Sequence, residues 1–186
     1  MDADRKRWDE RWAAAPDFVG ATPPDVVSAH PELLDIIPTA GLALDIACGL
    51  GAQALWLAER GLTVTAIDVS SVAIDRLASA AQQLGHQLHA EVWDTDDGLR
   101  PALTDLAVIV CQRYRSPALY GEFVSRLRVG GVLILTVLSA VGLEGEPGAF
   151  HAPPGDLTDA FDRDGVDVLL HDEANGQASI VLRRER

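Results

Sequence analysis

Cysteine is scarce in this chain. Cys48 and Cys111 are the only two in 186 residues, and no CxxC pair exists. That excludes a disulfide-stapled scaffold. Basic charge is short as well: 15 Lys and Arg stand against 28 Asp and Glu, a formal net charge of −13. Such a surface repels phosphates, so nucleic acid and an anionic membrane face are excluded as partners. Lys6 is the only lysine. Long apolar runs are missing too: Val132–Leu138 falls far short of the roughly 20 residues of a membrane-spanning helix. The opening MDADRKRWDE is too charged for a signal peptide, which predicts a cytoplasmic chain with both thiols reduced. His86 and His89 form the only close histidine pair, with no second ligand pair beside them, so no metal is expected.

What is present is ordinary globular material, 48% hydrophobic and 23% charged, enough for one domain with a real core. Asp4–Ala14 reads as a short helix with Trp8 and Trp12 on one face, Pro16–Pro24 as a loop, and Pro31–Ile37 as a second short helix. From Leu42 onward strands and helices alternate. Leu42–Ala47, Leu62–Ile67, Gln87–Trp93, Leu106–Val110 and Val132–Leu138 read as strands. Ala52–Glu59, a run from Ser70 or Ser71 to Gly85, and Ser116–Leu127 read as helices. Gly130-Gly131 is expected to separate the last helix from the strand after it. Alternation of this kind predicts a parallel sheet with helices on both faces. The tail predicts an antiparallel hairpin, Val166–His171 and Ala178–Arg183, turned at Asn175-Gly176.

In an open parallel sheet, ligands bind beyond the carboxyl ends of the strands. The unusual polar residues fall at those ends: Asp45 and Cys48, Asp68, Asp94 and Thr95, and Cys111. Cys48-Gly49-Leu50-Gly51 is a strand-to-helix turn whose glycines let a ligand approach the main chain. Asp68 stands at the tip of the next strand, where a carboxylate can accept from both hydroxyls of a ribose. Gly49–Ala54 also fits the GxGxxA dinucleotide fingerprint, so an NAD(P)-dependent oxidoreductase competes for the same geometry. Asp45 weighs against it, because a carboxylate there repels pyrophosphate and attracts a cation. S-adenosylmethionine carries a ribose, a sulfonium and an amino group, and no phosphate.

On these residues the chain resembles a known family. Ala43–Gly51 (ALDIACGLG), Ala54–Gly61 (ALWLAERG), Val64–Ser70 (VTAIDVS) and Ala73-Ile74 are similar to the first two motifs of class I S-adenosylmethionine-dependent methyltransferases. Within them the chain resembles the small tellurite-resistance/thiopurine-methyltransferase-like group. Trp8–Trp12 (WDERW) resembles the N-terminal lid motif of that group, and Arg128–Ile134 (RVGGVLI) the entry to its fifth strand.

The resemblance implies a Rossmann-like α/β fold, a mostly parallel seven-stranded sheet of order 3-2-1-4-5-7-6. It implies S-adenosyl-L-methionine as cofactor, S-adenosyl-L-homocysteine as product and a small-molecule acceptor, with the chain a monomer or homodimer. Asp45, Ala47, Cys48, Gly49 and Gly51 would line the methionine part, with Arg11 on its carboxylate. Asp68 would bind the ribose and Val69 pack on the adenine. Asp94 and Thr95 would meet the adenine edge, and Cys111 would lie near the transferred methyl. Ala47 departs from the family, which usually has glycine there. Residues 1–40 would form a helical lid, 41–140 the cofactor-binding core, and 141–186 a substrate-side loop, helix and hairpin. Trp8 and Trp12 fit either lid residues or core contacts of the first helix. Tyr114 and Arg115 fit either substrate contacts or a surface loop. Glu144–Gly155, with Phe150 and His151, fits either a cap on the substrate or a plain connection. A non-catalytic S-adenosylmethionine-binding module would keep the cofactor site and lack the acceptor site. Strands one and four are neighbours in this order, so Cys48 and Cys111 are expected to face one crevice.

Overall fold

The computed structural model describes residues 2–16 and 20–186. The loop expected at 16–24 therefore falls partly outside the described residues. Seven strands make one sheet: β1 (Leu42–Ile46), β2 (Thr63–Asp68), β3 (His89–Val92), β4 (Leu106–Gln112), β5 (Leu127–Leu138), β6 (Val166–Ala174) and β7 (Gln177–Arg184). Their spatial order is β3-β2-β1-β4-β5-β7-β6. The first five are parallel; β7 lies antiparallel to both β5 and β6.

Six α-helices accompany the sheet in the described residues: α1 (Asp2–Ala14), α2 (Asp25–Ala29), α3 (Ala52–Glu59), α4 (Ser71–Leu84), α5 (Tyr120–Arg126) and α6 (Asp156–Phe161). The sheet carries a core on each face. On one, Val108 and Val110 pack with Leu55, Leu57 and Leu77 of α3 and α4; on the other, Ile109 packs with Phe123 and Phe161 of α5 and α6. β4 is thus buried on both sides, which is why it reads as an unbroken apolar run. None of the helices in the described residues is long and apolar enough to cross a membrane.

α4 begins and ends where its sequence says. The Ser70 hydroxyl accepts the Ala73 N–H at 3.2 Å, and Gly85 closes the helix in the left-handed conformation. Elsewhere the structure departs from the periodicity. Asp25–Ala29 forms a short helix that the pattern did not mark, and Pro31–Asp35 is a 3₁₀ turn. The helix expected at Ser116–Leu127 opens as a 3₁₀ turn, Pro117–Leu119, and α5 starts at Tyr120. Gly130-Gly131 does not precede β5 but lies within it. The pairing jumps from Leu106–Leu127 to Val108–Val132, so residues 128–131 bulge out of the ladder.

Candidate cofactor site

The carboxyl ends of β1 and β2 build the centre of the site. After Ile46 the chain turns through Ala47 (φ 53°), Gly49 (φ 52°) and Gly51 (φ 80°) before α3 starts. Gly51 is required by space as well as by φ: a Cβ there would stand 2.2 Å from Leu77 Cδ1. Ala47 takes a left-handed conformation with a side chain, which costs roughly 1–2 kcal/mol. The family's glycine would relieve that strain.

Two carboxyl groups flank the turn. Asp68, only 7% exposed, accepts the Gly49 N–H at 2.8 Å through Oδ2 and the Ser70 N–H at 2.9 Å through Oδ1. Burial raises its pKa, while those two N–H groups pull it down. Asp45 is 2% exposed, and burial pushes its pKa up to about 8 against the pull of the Ala54 backbone N–H. Its Oδ2 is buried and has no partner. A buried carboxyl oxygen left unsatisfied calls for a donor, and a donor that is also a cation lifts the charge penalty. The ammonium of an S-adenosylmethionine fits that atom; a pyrophosphate does not. Asp68 keeps lone pairs free for further donors, because a carboxylate has about four acceptor positions.

Helix α1 lies over this turn. A Cβ on Gly49 would stand 2.7 Å from Trp12 Cζ2, so the indole rests directly on the glycine. Two contacts hold the helix there. Asp9 accepts the Ser70 hydroxyl at 2.6 Å and the Val72 N–H at 3.3 Å, at the N-terminus of α4. Arg76 donates to the carbonyls of Trp12 (2.5 Å), Ala15 (3.1 Å) and Pro16 (2.6 Å). Neither Asp9 nor Arg76 stands out in the sequence: one is an acid in a charged helix, the other an arginine in an amphipathic one. The WDERW pattern marked the helix that carries Asp9 but not its fastenings, and nothing in the sequence marked Arg76.

Other expected site residues fall into place unevenly. Val69 is half-buried in the turn after β2. Asp94 caps a 3₁₀ turn by accepting the Asp96 N–H at 3.0 Å. Thr95 Oγ1 lies 2.5 Å from Tyr114 Oη, which draws the ends of β3 and β4 together and places Tyr114 beside Thr95. Arg11 is exposed, its guanidinium 5.5 Å above the Trp8 ring and 5.6 Å above the Trp12 ring. The shared crevice expected for the cysteines is corrected by the side-chain directions. Cys48 packs into the core on the α3 face, Cys111 into the core on the α5 face. Cys111 is 0% exposed and its thiol donates to the Tyr114 carbonyl at 3.4 Å.

Phe150 is 59% exposed and lies under the Arg7 guanidinium at 5.2 Å, linking the 141–155 segment to α1. His151 Nδ1 is held within its own turn by the Gly148 N–H at 3.0 Å. The segment is fastened at its end by Asp156, which takes Arg115 Nε at 3.0 Å, Arg115 Nη2 at 2.5 Å and the Tyr120 hydroxyl at 3.0 Å. The Arg115 guanidinium holds the Asp156 carboxyl below its usual pKa. Arg115 thus braces the post-β4 loop, and Asp156 and Tyr120 are participants that no sequence pattern marks.

Residues 43–131 match the family described as a methyltransferase domain. Over those residues the chain is similar to methyltransferase domains. A curated relative, the 2-heptyl-1-hydroxyquinolin-4(1H)-one methyltransferase of Mycobacteroides abscessus, is 37% identical over 75 residues. Those residues are 38% of this chain, and the chain spans about a third (33%) of that relative's length. Magnesium protoporphyrin IX methyltransferase from Synechocystis PCC 6803, solved with bound S-adenosylhomocysteine, superposes with a TM-score of 0.71 at 15% identity over 99% of both chains. TehB from Haemophilus influenzae superposes at 0.68 and 19% identity, covering 84% of this chain and 62% of that one. Both structures share the fold of this chain.

Proposed function

We propose that this domain binds S-adenosylmethionine at the β1–β2 crevice and methylates a small molecule whose accepting atom arrives already ionised. The cofactor reading rests above all on Asp45, a buried carboxyl at the end of β1 with an oxygen that has no partner. Asp45 would take the ammonium, Asp68 the ribose, and the Gly49–Gly51 turn would pass under the methionine part. Asp94 and Val69 flank the adenine end in this reading. When bound, the cofactor would supply an activated sulfonium methyl, which an acceptor's lone pair would take in line as the S-adenosylhomocysteine thioether leaves. The chain's own task is then positioning and exclusion of water. Trp8, Trp12 and Phe150 supply the cover.

The pre-ionised acceptor follows from the acid–base groups at hand. Tyr114, the nearest candidate base, is bonded to Thr95, and burial raises its pKa. His151 is tied into its own turn. Neither is placed to take a proton from an acceptor. The hydroxyquinolone in the name of the Mycobacteroides abscessus relative supports a small heteroaromatic acceptor.

The test is transfer of labelled methyl from S-adenosylmethionine to a panel of thiols, acidic phenols, N-hydroxy heterocycles, amines and alcohols at pH 7.5. Turnover is expected with acceptors whose accepting atom is deprotonated and anionic at that pH. Turnover of simple alcohols at an equal rate would contradict the reading, because it would demand a base.

A further inference from the structure

The segment between β5 and α6 is gathered at its base by one side chain. Ser139, fully buried just past β5, donates its hydroxyl to Glu173 Oε1 at 2.6 Å. Gly155, immediately before α6, donates its N–H to Glu173 Oε2 at 3.0 Å. A single carboxylate on β6 thus holds both ends of residues 140–154. The Ser139 hydroxyl also accepts the Val141 N–H at 3.0 Å, and a bridge pairs Ser139 with Ala152. The β6–β7 turn closes on the same base. The Ser139 N–H donates to the Gly176 carbonyl and the Gly176 N–H to the Val141 carbonyl, each at 2.8 Å. Away from the base the support thins. Among the described residues, positions 144–147 carry no hydrogen bond. Further along, the segment meets α1 where Phe150 lies under the Arg7 guanidinium at 5.2 Å.

A surface loop with its ends drawn together is an Ω-loop, a compact unit set by its base. The two bonds to the Glu173 carboxylate are charge-assisted and strong; the exposed cation–π contact at Phe150 is weak. The base therefore decides how Phe150 reaches α1, and the tip cannot hold the segment alone. Through Trp12, α1 in turn rests on Gly49. We infer that Glu173 is a positioning residue for the proposed methyl transfer: it sets segment 140–154 so that Phe150 meets Arg7 and keeps α1 closed over the bound cofactor. The assignment rests on the cofactor reading above. Glu173 acts through Phe150, not by touching the cofactor.

The test is the rate at which the full chain releases labelled S-adenosylhomocysteine, chased with excess unlabelled ligand and read beside the melting temperature. Phe150→Ala removes the tip contact and is expected to speed release about two- to fivefold, the equivalent of an exposed cation–π contact. Glu173→Ala frees the base and is expected to speed release by a similar factor. The double variant is expected to release no faster than the faster single, because both act through one contact. Glu173→Gln is expected to stay within about twofold of wild type, since an amide can donate to the Ser139 hydroxyl and accept the Gly155 N–H. A Glu173→Ala protein that melts lower but releases at the wild-type rate would overturn the assignment and leave the cofactor reading intact. So would effects that multiply in the double variant, or a glutamine variant as fast as the alanine one. Should Glu173→Ala fail to fold, wild-type release from Phe150→Ala overturns the assignment by itself. A wild type that does not bind S-adenosylhomocysteine would overturn the cofactor reading and this role together.

Discussion

Asp68 reaches from the tip of β2 to take the Gly49 N–H at 2.8 Å, so one carboxylate both shapes the glycine turn and faces the crevice. That double duty changes what its removal should do. Asp68→Ala is expected to weaken S-adenosylhomocysteine by roughly 1.5–3 kcal/mol, and to destabilise the protein by about 1–3 kcal/mol, because the buried Gly49 and Ser70 N–H groups lose their acceptor. Calorimetry and thermal melting of the variant check the two effects. An unchanged melting temperature would mean that the turn does not depend on Asp68.

In the proposed reading, Asp45 opposes the stability of the ligand-free protein and supports binding. Its pKa rises on folding to about 8. Its neutral form is therefore favoured in the folded state, and stability is lost as pH climbs from about 4 through 8. Asp68, also raised, adds to the same loss. Asp45→Asn is expected to make the ligand-free protein more stable at pH 7.5, by about 2 kcal/mol, and to weaken S-adenosylhomocysteine at least tenfold. Melting curves from pH 5 to 8 for both proteins check the first part. A variant less stable than wild type at pH 7.5 would show that Asp45 has a structural partner.

The same carboxyl couples cofactor affinity to protons. A bound ammonium draws the proton off Asp45, so binding at pH 6.5 should release a proton, and affinity should rise toward pH 7.5. Once the pH passes the pKa of the ligand's own α-amino group, the ammonium loses its charge and the trend reverses. Calorimetry in buffers of different ionisation heat counts the proton. No release at pH 6.5 would mean that Asp45 is already ionised.

Ala47→Gly is expected to stabilise the protein by about 1 kcal/mol, since φ is 53° there and only glycine adopts it freely. Binding of S-adenosylhomocysteine should stay within about twofold. A lower melting temperature for the variant would show that the alanine methyl group packs well enough to offset its strain.

Much of the fold was legible because several independent signals agreed. Ser70 and Gly85 bracket α4 as caps, and the unbroken apolar run of β4 marks a strand covered on both faces. The sheet order came from the family resemblance. Less legible were the places where tertiary contact overrides pattern. The bulge of residues 128–131 depends on how β5 meets Leu106, and nothing within RVGG states it. Cys48 and Cys111 belong to adjoining strand ends, but Cys48 lies past the end of β1, where strand alternation no longer fixes side-chain direction. The acids at the ends of β1 and β2, Asp45 and Asp68, were readable as neighbours of the glycine turn. The fastenings of α1, Asp9 on Ser70 and Arg76 on the Trp12 carbonyl, join residues 61 and 64 apart, and no local period records such a pair.

The most direct measurement is a titration of the purified chain with S-adenosylhomocysteine and, separately, with NAD and NADP at pH 7.5. One site per chain is expected for S-adenosylhomocysteine, with no measurable heat of binding for either dinucleotide. Binding of a dinucleotide with S-adenosylhomocysteine silent would contradict the reading of Asp45 as the seat of a cation.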